Sequence, residues 1–144
     1  MINRLVNRLT FPTCHVVVCE DDLLNQTQIA EHLFKLFGAQ GQVQVSIVPG
    51  AVMAAAVIEK AGVELILLDH DMPFGNWIDL LEWLNSLAGG HRKVPVITFS
   101  GIQSNNEALM RAGACHKFSK EEVFRGLADT LILEILGLER AIPR

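Results

Sequence analysis

The sequence predicts an α/β fold, a doubly wound, five-stranded parallel sheet with helices on both faces. Three observations carry this expectation. Five strand-like runs alternate with five stretches of helical periodicity along the 144 residues. At least two runs are apolar without interruption, as strands buried on both faces of a parallel sheet require. Polar residues gather where the runs end, at Glu20-Asp21-Asp22, Asp69 with Asp71, Ser100 and Lys120. Those are carboxyl ends, the edge at which open α/β sheets bind their ligands.

The first run, Val16 to Cys19, is mostly β-branched; after its acidic end, Leu24, Ile29, Leu33, Leu36 and Phe37 recur at helical spacing. Gly38 and Gly41 mark the turn into a second strand, where Val43, Val45 and Ile47 alternate up to Pro49-Gly50. The Ala-rich stretch Ala51 to Lys60 is a strong helix former, with Gly62 at the usual position after a helix end. Val63 to Leu68 is the third strand and runs straight into Asp69. After Pro73 and Gly75, the apolar series from Trp77 to Leu87 makes a helix that stops at Gly89-Gly90. A fourth strand, Val94 to Phe99, ends on Ser100-Gly101, and Asn105 to Arg111 is a short helix. Cys115 to Ser119 is a fifth strand ending at Lys120. One last helix is expected from about Glu121 to near Arg140, with Phe124, Leu127, Leu131, Ile135 and Leu138 as its main stripe. Ahead of the sheet, Ile2, Leu5, Val6 and Leu9 give residues 1–13 an amphipathic character that Pro12 ends, an appendage suited to covering an exposed edge of the domain. The domain itself is expected over residues 14–140, with no further domain behind it.

Composition bounds the function. Half the residues are hydrophobic, enough for one sizeable core. A net charge of -4 and a pI near 5.7 argue against a polyanionic partner, so direct nucleic-acid binding is not expected. Cys14, Cys19 and Cys115 are an odd number without CxxC spacing, which suggests neither a disulfide framework nor a zinc site but reduced, cytoplasmic thiols. No apolar run approaches the roughly 18 residues of a membrane span, and the N-terminal arginines Arg4 and Arg8 interrupt what a secretory signal would keep apolar.

Asp69 is the centre of the pattern. A carboxylate where an interior strand breaks the surface is partly desolvated, and it needs cations or hydrogen bonds to persist there. Each neighbouring group has an ordinary explanation on its own. Glu20, Asp21 and Asp22 suit a helix cap, and Ser100 before Gly101 suits a turn. Lys120 does not, because a lysine at a helix start meets the positive end of the macrodipole and needs an anion nearby. Acid, acid, hydroxyl and lysine at four strand ends point to a shared cleft. Several carboxylates in one cleft repel each other unless a cation binds, and an all-oxygen set suits Mg²⁺ rather than zinc.

These motifs together, the apolar run before Glu20-Asp21, LLDHDMP over 67–73, VPVITFSG over 94–101 and AGACHKFSK over 112–120, resemble the receiver domains of two-component response regulators, with their flavodoxin-like (βα)5 fold. The resemblance spans about Val16 to Leu138. It implies that Asp69 accepts a phosphoryl group, that Glu20 and Asp21 hold Mg²⁺ with Asp69, and that Asp71 supplies a backbone carbonyl to the metal. It further implies that Ser100 and Lys120 bind the phosphoryl oxygens. The implied donor is a sensor histidine kinase or a histidine phosphotransfer protein, and the output is a change in protein contacts. The carboxylate of Asp69 would be the nucleophile, with positioning and charge stabilisation supplying most of the catalysis. His70, beside the acceptor, points away from it by strand parity.

The chain also departs from that family. Lys117 stands three residues before Lys120, where an aromatic reporter is usual, and Phe118 falls on the opposite face. Glu121 replaces a proline, and Asn76-Trp77 replaces an Asp-Gly pair in the loop after the acceptor. Trp77 and Asp71 are therefore expected to alter the lifetime of an aspartyl phosphate. Ile132, Leu133 and Leu136 add apolar surface to the last helix, suited to burial under the N-terminal appendage or to a homodimer through the fourth helix, fifth strand and last helix. Two other functions fit the same residues: a pseudo-receiver serving as a constitutive interaction module, and an Mg²⁺-dependent phosphatase or phosphotransferase.

Overall fold

A computed structural model describes residues 14–38, 43–60, 62–69, 77–87 and 94–138. Its strands are β1 (Cys14–Cys19), β2 (Val43–Val48), β3 (Leu65–Leu68), β4 (Val96–Thr98) and β5 (His116–Lys117). All pair in parallel, in the order β2-β1-β3-β4-β5. The helices are α1 (Leu23–Phe37), α2 (Ala51–Lys60), α3 (Trp77–Leu87), α4 (Gln103–Arg111), α5 (Lys120–Phe124) and α6 (Asp129–Leu136). Parallel strands need crossovers, and the helices that supply them cover both faces.

Alternation along each strand divides the core in two. Val16, Val18, Leu65, Leu67 and Ile97 face one way and pack with Ile29 and Leu33 of α1 and Ile132 and Leu136 of α6. Val17, Cys19, Ile66, Leu68 and Val96 face the other and pack with Ala54, Leu81 and Leu109 from α2, α3 and α4. Every residue of β3 is buried, which makes it the central strand and explains its unbroken apolar run. Strand order reverses between β1 and β3, so the crevice outside their carboxyl ends is where a ligand belongs.

The fold class and the limits of α2 and α3 agree with the sequence reading. The last helix does not. It is two short helices separated at Gly126, whose φ of 85° is in the left-handed region. Glycine adopts that conformation readily, and an α-helix cannot continue through it. The break turns α6 relative to α5, so the expected stripe fails at Leu127, which is 57 % exposed, while Ala128, Ile132, Leu133 and Leu136 lie in the core. Of the two readings of Leu133 and Leu136, burial holds, since both lie in the core, and neither is free to form a dimer surface. β3, β4 and β5 are shorter than the runs expected for them, β5 most of all, because pairing stops where neighbours stop, whereas β1 begins two residues before its expected run, at Cys14. The N-terminal appendage over residues 1–13 and the loop holding His70, Asp71 and Asn76 lie outside the described residues.

Candidate functional site

Register builds the site. Cys19 of β1 pairs with Leu68 of β3, so the next residues, Glu20 and Asp69, emerge side by side. Backbone bonds hold both: Glu20 N donates to Val48 O at 2.9 Å and Asp69 N to Cys19 O at 3.0 Å. Phe99 N donates to Leu68 O at 3.1 Å, which brings Ser100 to the same edge, and Phe118 N donates to Thr98 O at 2.9 Å, which brings Lys120 there. The four strand ends singled out in the sequence thus meet along one edge.

The acidic run separates into two roles. Asp22 is the helix cap: its Oδ2 accepts from Asn25 N at 2.9 Å. That leaves the other two acids for the cleft. Glu20 is fully buried and Asp21 is exposed. Glu20 Oε2 accepts from Asp22 N at 3.2 Å, and Gln26 Nε2 donates to Glu20 O at 2.7 Å, fixing the bend after β1.

Lys120 opens α5, placed there by a reciprocal cap in which Ser119 Oγ accepts from Glu122 N and Glu122 Oε1 accepts from Ser119 N. Its Nζ lies 2.9 Å from Glu20 Oε1 and 3.1 Å from Asp69 Oδ2. Burial works against the ammonium, but the bonds to Glu20 and Asp69 outweigh it, and the lysine pKa is raised. This is the anion that a lysine at a helix start requires. Around Glu20 the balance runs the other way. Desolvation and the Asp69 charge outweigh the bonds from Lys120 and Asp22 and push its carboxyl up to about 7. Burial, aided by Asp69, pushes the Cys19 thiol up to about 12, leaving it an inert core residue.

One oxygen each from Glu20, Asp21 and Asp69 lies within 4.8 Å of the others. Glu20 Oε1 is buried and faces the Lys120 ammonium as an ion pair at 2.9 Å, with no further donor to it among the described residues. A buried carboxylate oxygen short of donors, in an all-oxygen set, fits a hard divalent cation such as Mg²⁺. A folded-state pKa near 7 means that the folded chain holds more protons than the unfolded one between pH 4.5 and about 7. Stability without metal is therefore expected to fall as pH rises through that window. Because Mg²⁺ competes with the same proton, its affinity is expected to rise between about pH 6 and about pH 8. Calorimetry in buffers of different ionisation enthalpy measures the released proton, and an affinity independent of pH would contradict the assignment.

Asn106, which the sequence reading passed over, joins the β4 and β5 ends of the cleft. Its Oδ1 accepts from Thr98 Oγ1 at 2.6 Å and Ser100 N at 2.8 Å, and its Nδ2 donates to Ser100 O at 3.0 Å and Phe118 O at 2.8 Å. A signal was present. Asn106 stands three residues before Leu109, on the one buried stripe of α4.

The arrangement combines the buried carboxylates of Glu20 and Asp69 with that of Asp21, the Ser100 hydroxyl and the Lys120 ammonium at one end of the sheet. No helix among the described residues is long and apolar enough to cross a membrane. Neither a family model nor a curated protein matches the chain. Solved structures do. The receiver domain of the TMAO respiratory system response regulator TorR aligns with a TM-score of 0.67 at 20% identity, covering 88% of this chain and 99% of that one. The receiver domain of a sensor histidine kinase from Pseudomonas aeruginosa, described with a magnesium ion coordinated in its active site cleft, aligns at 0.67 and 22% identity, covering 86% and 98%. The Saccharomyces cerevisiae receiver domain of Ssk1, solved with the histidine phosphotransfer signalling protein Ypd1, aligns at 0.65 and 15% identity, covering 88% and 94%.

Proposed function

We propose that this chain, which has the fold of response-regulator receiver domains, acts as one: a module that accepts a phosphoryl group on Asp69 and signals by changed protein contacts. The observation that carries the reading is the Lys120 ammonium set between the buried carboxylates of Glu20 and Asp69, beside Asp21, at the carboxyl edge of the sheet. An ion pair meant only for stability would be better replaced by apolar packing. A lysine held against an acceptor carboxylate has a further use, because it is in place to meet the negative oxygens of an incoming phosphoryl group.

In the transfer, a carboxylate oxygen of Asp69 attacks phosphorus, the bond to the donor's imidazole nitrogen breaks, and the electron pair leaves with the imidazole. Glu20, Asp21 and Asp69 would hold Mg²⁺, with the Asp71 carbonyl as a further ligand; the ion supplies charge neutralisation to the phosphoryl oxygens. Lys120 exchanges its bond to Asp69 Oδ2 for a phosphoryl oxygen, and Ser100 offers its hydroxyl to another. The donor would be a sensor histidine kinase or a histidine phosphotransfer protein, the recipient a downstream protein, and the compartment the cytoplasm. Pairing of two copies through α4, β5 and the α5–α6 segment is compatible with this function, using surface residues in place of the buried Leu133 and Leu136.

Incubation with a small acyl phosphate and Mg²⁺, followed by peptide mapping of the mass increment, tests the proposal. One phosphoryl group on Asp69, absent from Asp69→Asn, supports it. Absence of label points to a pseudo-receiver, the reading favoured by Lys117, which is half exposed and lies 3.9 Å from Glu107 on α4. Continuous turnover of the donor points to a phosphatase. Trp77, partly buried against the core at the start of α3, is expected to slow loss of the phosphoryl group. Decay in Trp77→Gly should be faster than in the parent chain, and equal rates would remove Trp77 from the account.

A further inference from the structure

We propose that Asn106 is the positioning residue through which the state of Asp69 reaches the surface formed by α4 and β5. The inference rests on the receiver reading and adds the route of its output. Both backbone groups of Ser100 are held by this one side chain, its N–H by Oδ1 and its C=O by Nδ2. The same amide holds Phe118 O, two residues before Lys120. The hydroxyl and the ammonium that would grip a phosphoryl group are thus carried on backbone segments tied to a common point.

That point has no slack. Two donors and two acceptor sites are the whole capacity of a carboxamide, and all four are used. Asn106 is 4% exposed, so water has little access to replace a bond that breaks. When Ser100 shifts toward a phosphoryl oxygen, Asn106 must follow it or give up the bond to Phe118. Space exists for either movement. An open cleft of about 430 Å³ is lined by Asn106 together with Gly101, Gln103, Lys117, Phe118 and Glu122. The surface next to it is sensitive to the shift, because Glu107 follows Asn106, Lys117 precedes Phe118, and the two charged groups are 3.9 Å apart across α4 and β5. Displacement of Asn106 against Phe118 changes that pair.

The test compares the parent chain with Asn106→Asp and Asn106→Ser. Aspartate keeps acceptors for Thr98 Oγ1 and Ser100 N but loses the donors to Ser100 O and Phe118 O; serine is too short to span the gap. Each protein is treated with acyl phosphate and Mg²⁺, phosphoryl incorporation at Asp69 is measured by mass, and amide hydrogen exchange is followed over residues 101–118. The parent is expected to take label and to change its exchange in that segment. The variants are expected to take label more slowly than the parent and, compared at equal labelling of Asp69, to lose the exchange response. A variant that labels and responds like the parent overturns the role of Asn106 and leaves the receiver reading intact. Variants that lose label and fold together assign Asn106 to the scaffold alone, which also overturns it. A parent chain that takes no label overturns the receiver reading, and this inference with it.

Discussion

Replacing Lys120 with methionine is expected to destabilise the metal-free protein by about 3 kcal/mol at neutral pH, the low end for removing one partner of a buried ion pair. The low end applies because 22% of the Lys120 side chain reaches solvent. The substitution keeps the aliphatic length and removes only the charge, so what is measured is the exposure of Glu20 and Asp69 to each other. Glu20 already sits at about 7 because burial and Asp69 outweigh the help it receives. Without the ammonium its carboxyl rises further. The folded chain then holds a proton that the unfolded chain has released, so the penalty is absent below the ordinary carboxylate pKa and grows as pH rises. Thermal unfolding from acid to mildly basic pH should therefore show the variant converging on the parent at the acid end and diverging at the basic end. Mg²⁺ should restore much of the loss by replacing the missing positive charge. A uniform deficit at every pH, insensitive to Mg²⁺, would show that Lys120 contributes packing and not charge.

Gly126→Ala should destabilise by roughly 2 kcal/mol, the sum of a left-handed backbone and a close contact. An added Cβ would stand 3.0 Å from Asp129 Oδ2. Asp129 cannot easily turn aside, since its Oδ1 lies 2.6 Å from His32 Nε2, a contact that fastens α6 to α1. Gly137→Ala supplies the control: its φ of 67° carries a similar backbone strain, but nothing lies within 4 Å of the new Cβ. The difference between the two urea midpoints isolates the Asp129 contact. Equal losses would show that only the backbone matters at Gly126.

Much of this could be read from residue order because it depends on local periodicity. Ala51 to Lys60 and Trp77 to Leu87 are bounded by Pro-Gly or glycine signals, and the structure keeps those limits. Strand ends were readable for the same reason: an apolar run stops where polar groups start, and parallel pairing brings those stops to one edge. What escaped depends on three dimensions. The apolar residues from Phe124 to Leu138 satisfy a helical pattern on either side of Gly126, and only the packing of Asp129 against His32 shows that the chain turns there. Asn106 escaped because hydrogen bonds to Thr98 and Phe118 cross eight and twelve residues of chain, and no spacing rule reports them. Asp22 shows a third kind of limit. Three adjacent acids suit a cap equally well, and the bond from Asn25 N is what assigns the cap to one and leaves two for the cleft.

The brevity of β5 has a consequence for how any partner would bind. A strand of two residues, His116 and Lys117, both exposed, offers an incoming chain too few backbone donors and acceptors to extend the sheet. Continuing the ladder from that side would gain little. Recognition there must be made by side chains, through the charges of Lys117 and Glu107 and the shape around them. A surface of that kind would discriminate by chemistry at a few points, so for a partner docking there a small displacement of two residues would be enough to change the fit.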